Sequence, residues 1–302
     1  VLTCALPISS FIQMAYSITD MAWVGRLGSE AVAAIGAVGI LTWMTNSISL
    51  LNKVGSEVSV GQSIGARNEE DARNYSSHNL TIALIISVCW GLLLFVFAHP
   101  IIGVYKLEAP IAESAVEYLR IVSTAFPFIF LSAAFTGIHN AAGLSKIPFY
   151  ISGTGLIINM ILDPVFIFVF DMGTAGAAWA TIASQLVSFC LLLAGCTRGG
   201  NLHIRISRVQ FHASYYVMIV KGGLPSLARQ GLASFATICL NWAIRPYGDA
   251  AIAAMGVVQR IAMFGGSAMI GFGQGFQPVC GFNYGAQLYS RVREGFWFCV
   301  KS

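Results

Sequence analysis

The chain has 302 residues, of which 56% are hydrophobic and only 10% charged, with a formal net charge of +4 and a mean hydropathy of +0.73. Soluble globular domains carry about 25% charged residues, so this composition excludes an ordinary soluble domain. The small positive balance is spread over many short loops and gives no basis for nucleic-acid binding.

Apolar stretches long enough to cross a hydrocarbon core, about 20 residues each, recur along the chain. The first predicted helix ends near Val24. The second spans 31–63, the third 79–98, the fourth 116–140, the fifth 148–170 and the sixth 174–197. A basic, mostly polar connection follows over 198–212 (RGGNLHIRISRVQFH). A seventh helix spans 213–244, an eighth 251–283, and a ninth begins near Phe296. The second, seventh and eighth exceed one crossing and are expected to tilt, kink or project from the bilayer. The fold class is therefore all-α, a polytopic transmembrane helical bundle. The seven cysteines form no CxxC pair and lie mostly in apolar helices, which reads as packing.

Loop charge alternates along the chain. One side carries Arg67, Arg73, Lys146, Arg198, Arg205, Arg208, Lys221, Arg291 and Arg293; the other carries Arg26, Lys106, Arg120 and Arg245. The positive-inside rule makes the first set cytoplasmic, so a multi-pass membrane protein with cytoplasmic basic loops is expected.

An internal repeat divides the chain. A shift of 220 residues places Gly28, Ala31, Ala33, Ala34 and Gly36 on Gly248, Ala251, Ala253, Ala254 and Gly256 without a gap. It also places Ser47, Gly55, Gly61, Gly65 and Ala66 on Ser267, Gly275, Gly281, Gly285 and Ala286. With six helices per repeat, the copies share one orientation, as in transporters made of two parallel halves. Residues 1–205 are read as a first six-helix lobe, its first helix truncated, and 206–302 as the start of a second. The chain opens without Met, inside an apolar segment, and reads as a fragment. Pro7 stands two residues out of register with Pro225, so residues 1–8 are expected to be an assembly artefact.

Charges inside the spans are the candidates for chemistry. Asp163 is the sole charge in IPFYISGTGLIINMILDPVFIFVF (147–170), and an ionisable residue at such depth is costly enough to mark a functional site. Asn159 lies four residues earlier, on the same helix face. Pro164 cannot donate a helical hydrogen bond and clashes with the Met160 carbonyl, which predicts a helix kink and a freed carbonyl beside the carboxylate. Carboxylate, amide and carbonyl oxygens are hard ligands for a small cation. Asp20 is a second carboxylate, near the end of the first helix. Facing Asp163, it would form a pair that cannot keep two charges cheaply and so takes up a proton or a cation. Lys53 and Glu57 are spaced for mutual neutralisation on one helix; a gate or substrate contact is the other reading. Arg229, Gln230 and Arg260 are candidates for lining a cavity.

These segments resemble the multidrug and toxic compound extrusion (MATE) family. The matching stretches are YSITDMAWVGRLG, VGQSIGARNEEDAR, VEYLRI, NMILDPVFIF and GGLPSLARQG. The resemblance implies twelve helices in two six-helix lobes around a central cavity, with export of organic compounds in exchange for sodium ions or protons. By motif position it assigns the coupling site, or the sodium site if sodium is the ion, to Asp20, Asn159, Asp163 and Thr181. Some members carry an acidic residue in the seventh helix, roughly where this chain has Arg229. That departure favours a coupling site in the first lobe and the branch of DNA-damage-inducible-type transporters.

The expected function is thus a secondary antiporter, not an enzyme, with an organic, cationic or amphipathic drug-like substrate and the lipid bilayer as partners. It needs no cofactor beyond its coupling ion. Two alternatives are a lipid-linked precursor flippase, which would favour a basic cavity, and an intramembrane transferase, which would need clustered catalytic groups that the scattered histidines do not supply.

Overall fold

The computed structural model describes residues 19–20, 22–198, 213–244, 246 and 249–301. Residues 19–20 and 22–25 are the described end of helix α1. There follow α2 (Ser29–Gly65), α3 (Glu69–Val96), the short α4 (Ala98–Gly103), α5 (Ala109–Ser123) and α6 (Phe126–Ala141). Then come α7 (Lys146–Pro164), continued by a π-helical turn (Val165–Val169), α8 (Gly173–Arg198), α9 (Ala213–Ile244), α10 (Asp249–Gly285) and α11 (Tyr289–Lys301). No strand occurs among the described residues. Four of these helices are long and apolar enough to cross a membrane, or five if α5 and α6 form one span. The expected lobe boundary at 205–206 and residues 1–8 lie outside the described residues.

Three elements differ from their sequence expectation, two of them for a local reason. The helix expected from 79 starts at Glu69, because Asn68 caps it: its side chain accepts from the Asp71 amide at 3.1 Å. Glu69, Glu70 and Asp71 then complement the helix dipole. Hydropathy is blind to these polar first turns. The single helix expected over 116–140 is two helices bent by 46°. Pro127 withdraws a donor there, and Thr124 and Ala125 turn back onto carbonyls three residues behind them, at 3.1 and 2.9 Å. The ninth helix begins at Tyr289 rather than near Phe296.

Helix α2 is the spine, packing against α3, α5, α6, α9 and α10. Gly28 (φ 112) opens it, and 37 residues give it a length of about 55 Å at 1.5 Å per residue. Its neighbours approach through glycines. A Cβ on Gly55 would meet the Ile219 carbonyl oxygen at 2.7 Å, and one on Gly222 would meet Val58 at 3.2 Å. A Cβ on Gly137 would run into the Lys53 carbonyl. Small residues of this kind let helices associate where lipid offers no hydrophobic drive.

The repeat is visible residue for residue. Both α2 and α10 have 37 residues, and the 220 shift carries one onto the other. Their closing turns match: Ala66 and Ala286 donate to Gln62 and Phe282, at 2.9 and 3.0 Å, and Arg67 and Gln287 each adopt φ 59. The two helices also cross each other at these positions. A Cβ on Gly65 would strike the Phe282 carbonyl oxygen, and one on Gly285 would strike that of Gln62. Because 282 is the repeat partner of 62, the contact is reciprocal, as across a two-fold axis.

This crossing predicts a ranking of glycine substitutions. Gly65→Ala and Gly285→Ala should each destabilise the full-length protein by about 1–3 kcal/mol through overpacking. Gly36→Ala, whose added Cβ meets nothing within 4 Å, should gain up to about 1 kcal/mol of helix propensity. Reversible unfolding in bicelles measures the order, and equal effects would contradict the crossing.

Candidate cation or proton site

Two close approaches set the register of α7 against α8. A Cβ on Gly155 would run into the Ser188 hydroxyl, and a Cβ on Gly176 would sit 2.7 Å from the Phe166 carbonyl. Between these points the antiparallel helices are in contact. Asn159 and Asp163 follow Gly155 at intervals of four residues and share its face. They therefore lie level with residues 177–184 of α8, the segment that contains Thr181.

The end of α1 closes the third side. Val24 and Ile167 belong to one buried cluster with Ala31 and Ala177, and Tyr118 packs against it. The Trp23 ring meets Phe168 edge-on at 6.2 Å. Asp20 lies one turn before Val24, and Asp163 one turn before Ile167. The same packing thus brings the two carboxyl groups close enough to interact electrostatically.

Asp163 is 0% exposed and Asn159 2% exposed. Neither carboxylate oxygen of Asp163 has a hydrogen-bond donor, and neither polar atom of the Asn159 amide has a partner. Thr181 donates its hydroxyl hydrogen to the Ala177 carbonyl at 3.0 Å, which leaves its oxygen lone pairs available. Buried polar groups are almost always satisfied, so three orphaned acceptors beside one orphaned amide donor make this a candidate site suited to receive something positive. A proton shared by the carboxyls would do so, as would a small cation ringed by hard oxygens. The donors present, two carboxyls, an amide and a hydroxyl, are all hard oxygens rather than the nitrogen and sulfur ligands that zinc and similar metals favour.

The expected kink at Pro164 takes a particular form. Val165 donates to Leu162, three residues back, and Phe170 donates to Val165 at 3.0 Å, five back. The proline is absorbed by a widened π turn rather than a break, and the turn sets Ile167 against α1 and α8.

Sequence reading missed Tyr118. It lies on α5, reaches the cluster around Ile167, and is within electrostatic range of both Asp20 and Asp163. The clue available was a phenol in VEYLRI, four residues before Val122 on a buried face. Lys53 and Glu57 lie within electrostatic range of each other but form no direct ion pair. Lys53 donates instead to Gln274 on α10 at 3.3 Å, and Glu57 accepts from Asn140 on α6 at 2.8 Å. Tertiary partners outcompete the local i,i+4 pairing. Arg229 is exposed and Gln230 half-buried on α9, which packs against α2, α3 and α10 and so places neither at Asp163. Arg260 lies in α10, with its side chain outside the described residues.

Known proteins with this pattern are consistent in kind. The family model MatE matches residues 6–165 and again 225–301, the two starts lying within one residue of the repeat register. The probable multidrug resistance protein YoeA of Bacillus subtilis is 28% identical over 97% of this chain and 66% of its own length. The multidrug export protein MepA of Staphylococcus aureus is 22% identical over 92% of this chain and 62% of its own. A solved outward-facing multidrug resistance MATE family transporter of the MOP superfamily superposes with a TM-score of 0.94. It is 25% identical and covers 99% of this chain and 67% of its own. The chain thus spans about two thirds of the length of the relatives it matches.

The orphaned amide yields a test. Asn159→Leu removes two unsatisfied buried polar atoms whose burial costs about 1–3 kcal/mol each. The full-length variant should melt no lower than wild type yet lose ion-stimulated transport. A lower melting temperature with transport retained would mean that the amide braces the helices.

Proposed function

The chain belongs to the MatE family, and on that premise we propose that it works in a secondary antiporter exporting organic, cationic or amphipathic compounds in exchange for sodium ions or protons. One observation carries this reading: Asp163 is fully buried against Asp20 with no donor on either oxygen. Two such carboxyls alternate naturally between cation-loaded and unloaded states. Asn159 and Thr181 supply neutral oxygens, and Tyr118 supplies a phenol that can orient toward whichever carboxyl is charged. If sodium is the ion, it would be held by Asp20, Asn159, Asp163 and Thr181.

Loading neutralises buried charge and so shifts which packing of α1, α7 and α8 is favoured. The π turn is the element suited to that change, since it already carries a disrupted hydrogen-bond ladder. With the basic loops cytoplasmic in a bacterial inner membrane, the α2–α10 crossing closes the cytoplasmic side. Tyr215 on α9 reinforces it by donating to Asp71 at 3.1 Å and stacking on His78 at 4.7 Å. The coupling site then lies toward the opposite face, in reach of external ions, and alternating access follows from rocking of the two halves. Substrate export is carried over from relatives named for multidrug resistance and export.

Asp163→Asn in the full-length protein should abolish drug resistance and gradient-driven efflux from vesicles, with membrane insertion intact. Efflux driven as in wild type by a sodium or proton gradient would remove Asp163 from the coupling role.

A further inference from the structure

A second buried carboxyl lies apart from the α1–α7–α8 site and is not used by it. Glu57, on α2, is 1% exposed. Its Oε1 accepts from Asn140 Nδ2 at 2.8 Å, while its Oε2 and the Asn140 Oδ1 are both buried without a partner. This side-chain pair therefore lacks one donor. A single proton on Oε2 supplies it: the charge disappears, and one orphaned acceptor becomes a donor on a pair whose other orphan is an acceptor. An unneutralised carboxylate in the same place, holding one hydrogen bond, would be costly.

The position of Glu57 is as informative as its partners. A Cβ on Gly281 of α10 would stand 3.2 Å from the Glu57 carbonyl, so Glu57 sits at the α2–α10 crossing. One turn earlier, Lys53 reaches across to Gln274 of α10 at 3.3 Å. Other titratable groups around the crossing are engaged elsewhere or lie outside it. His139 on α6 faces the Phe135 carbonyl at 2.8 Å and Cys196 of α8 at 3.6 Å. His78 on α3 stacks on Tyr215 of α9. Lys221 on α9 is exposed, and the Cys280 thiol on α10 is half-buried.

We propose that Glu57 is a second proton-binding site, and that its proton keeps the α2–α10 crossing closed. While Glu57 is protonated it is neutral, and Lys53 stays on Gln274. When the proton leaves to water at the Arg67 end of the crossing, a negative charge appears one helical turn from Lys53. Lys53 turns to Glu57, the bond to Gln274 breaks, and the two halves lose their polar link at that level. Low pH thus favours the closed crossing and high pH the open one. The inference rests on the transport reading only in treating the crossing as one that opens; it does not depend on which ion binds at Asp163.

The test measures the crossing directly. Spin labels are placed at exposed Ala66 and Leu288, in a cysteine-free full-length protein in nanodiscs, and their separation is followed with pH. Wild type should shift from short to long separation as pH rises, the population ratio changing about tenfold per pH unit, the slope of one proton. Glu57→Gln carries a neutral amide donor and should stay short throughout. Lys53→Met should lose the pH response, which gives a second arm if Glu57→Gln fails to insert. Asp163→Asn should keep the wild-type slope even where it abolishes efflux. A full wild-type response in Glu57→Gln or Lys53→Met would overturn the proposal, as would its loss in Asp163→Asn alone.

Discussion

Backbone-to-backbone contact through glycine is the constraint on which the bundle is built. Helices in lipid gain little from burying apolar surface against one another, so close approach and polar contacts must hold them. In this chain α2 meets α6 at Gly137, α9 at Gly55 and Gly222, and α10 at Gly65 and Gly285. Helices α7 and α8 meet at Gly155 and Gly176. Each point fixes a register, and each register decides which polar side chains face each other. The Glu57–Asn140 contact follows from Gly137, three residues from Asn140, and the level of Asn159 and Asp163 on α8 follows from Gly155 and Gly176, while apolar packing of Val24 on Ile167 brings in Asp20.

Close packing of this kind leaves no room for error in polar pairing, and most buried hydroxyls in the bundle are satisfied by their own helix. Thr45, Ser59, Ser76 and Ser123 donate to carbonyls four residues back. Against that background, among the described residues, most of the unsatisfied atoms gather in two places, Asn159 with Asp163 and the α2–α3–α6 seam of Asn52, Asn79, Glu57 and Asn140, with single atoms at Trp23, Arg73, Arg120, Ser132 and Gln277. Both lie at helix contacts that the proposed transport cycle would rearrange. Unpaired buried polarity at such contacts is what a protein with two alternative packings needs, since a fully satisfied network would favour one of them too strongly.

Much of this was legible in the sequence because it is local or periodic. The depth of Asp163, its spacing from Asn159, the proline beside it and the 220-residue register need only one helix or one alignment to read. The bounds of α9 are reproduced to the residue. What could not be read depends on cross-chain geometry. Tyr118 is separated from Asp163 by an entire helical turn-back, and Asn140 is far in sequence from Glu57, so no spacing rule links them. Lys53 and Glu57 show the limit most clearly. Their i,i+4 spacing predicts a pair, but α6 and α10 each bring a better-placed partner. The start of α3 was hidden for another reason: its capped, acidic first turns carry no apolar signal.

The central claim is that buried Asp163 and half-buried Asp20 together hold a positive charge that the protein itself does not provide. The most direct measurement counts protons and sodium ions bound by the full-length protein as pH and sodium are varied, in wild type and in the Asp20→Asn, Asp163→Asn double variant. The account predicts that wild type binds one more cation, proton or sodium, than the double variant. Equal counts under all conditions would contradict it.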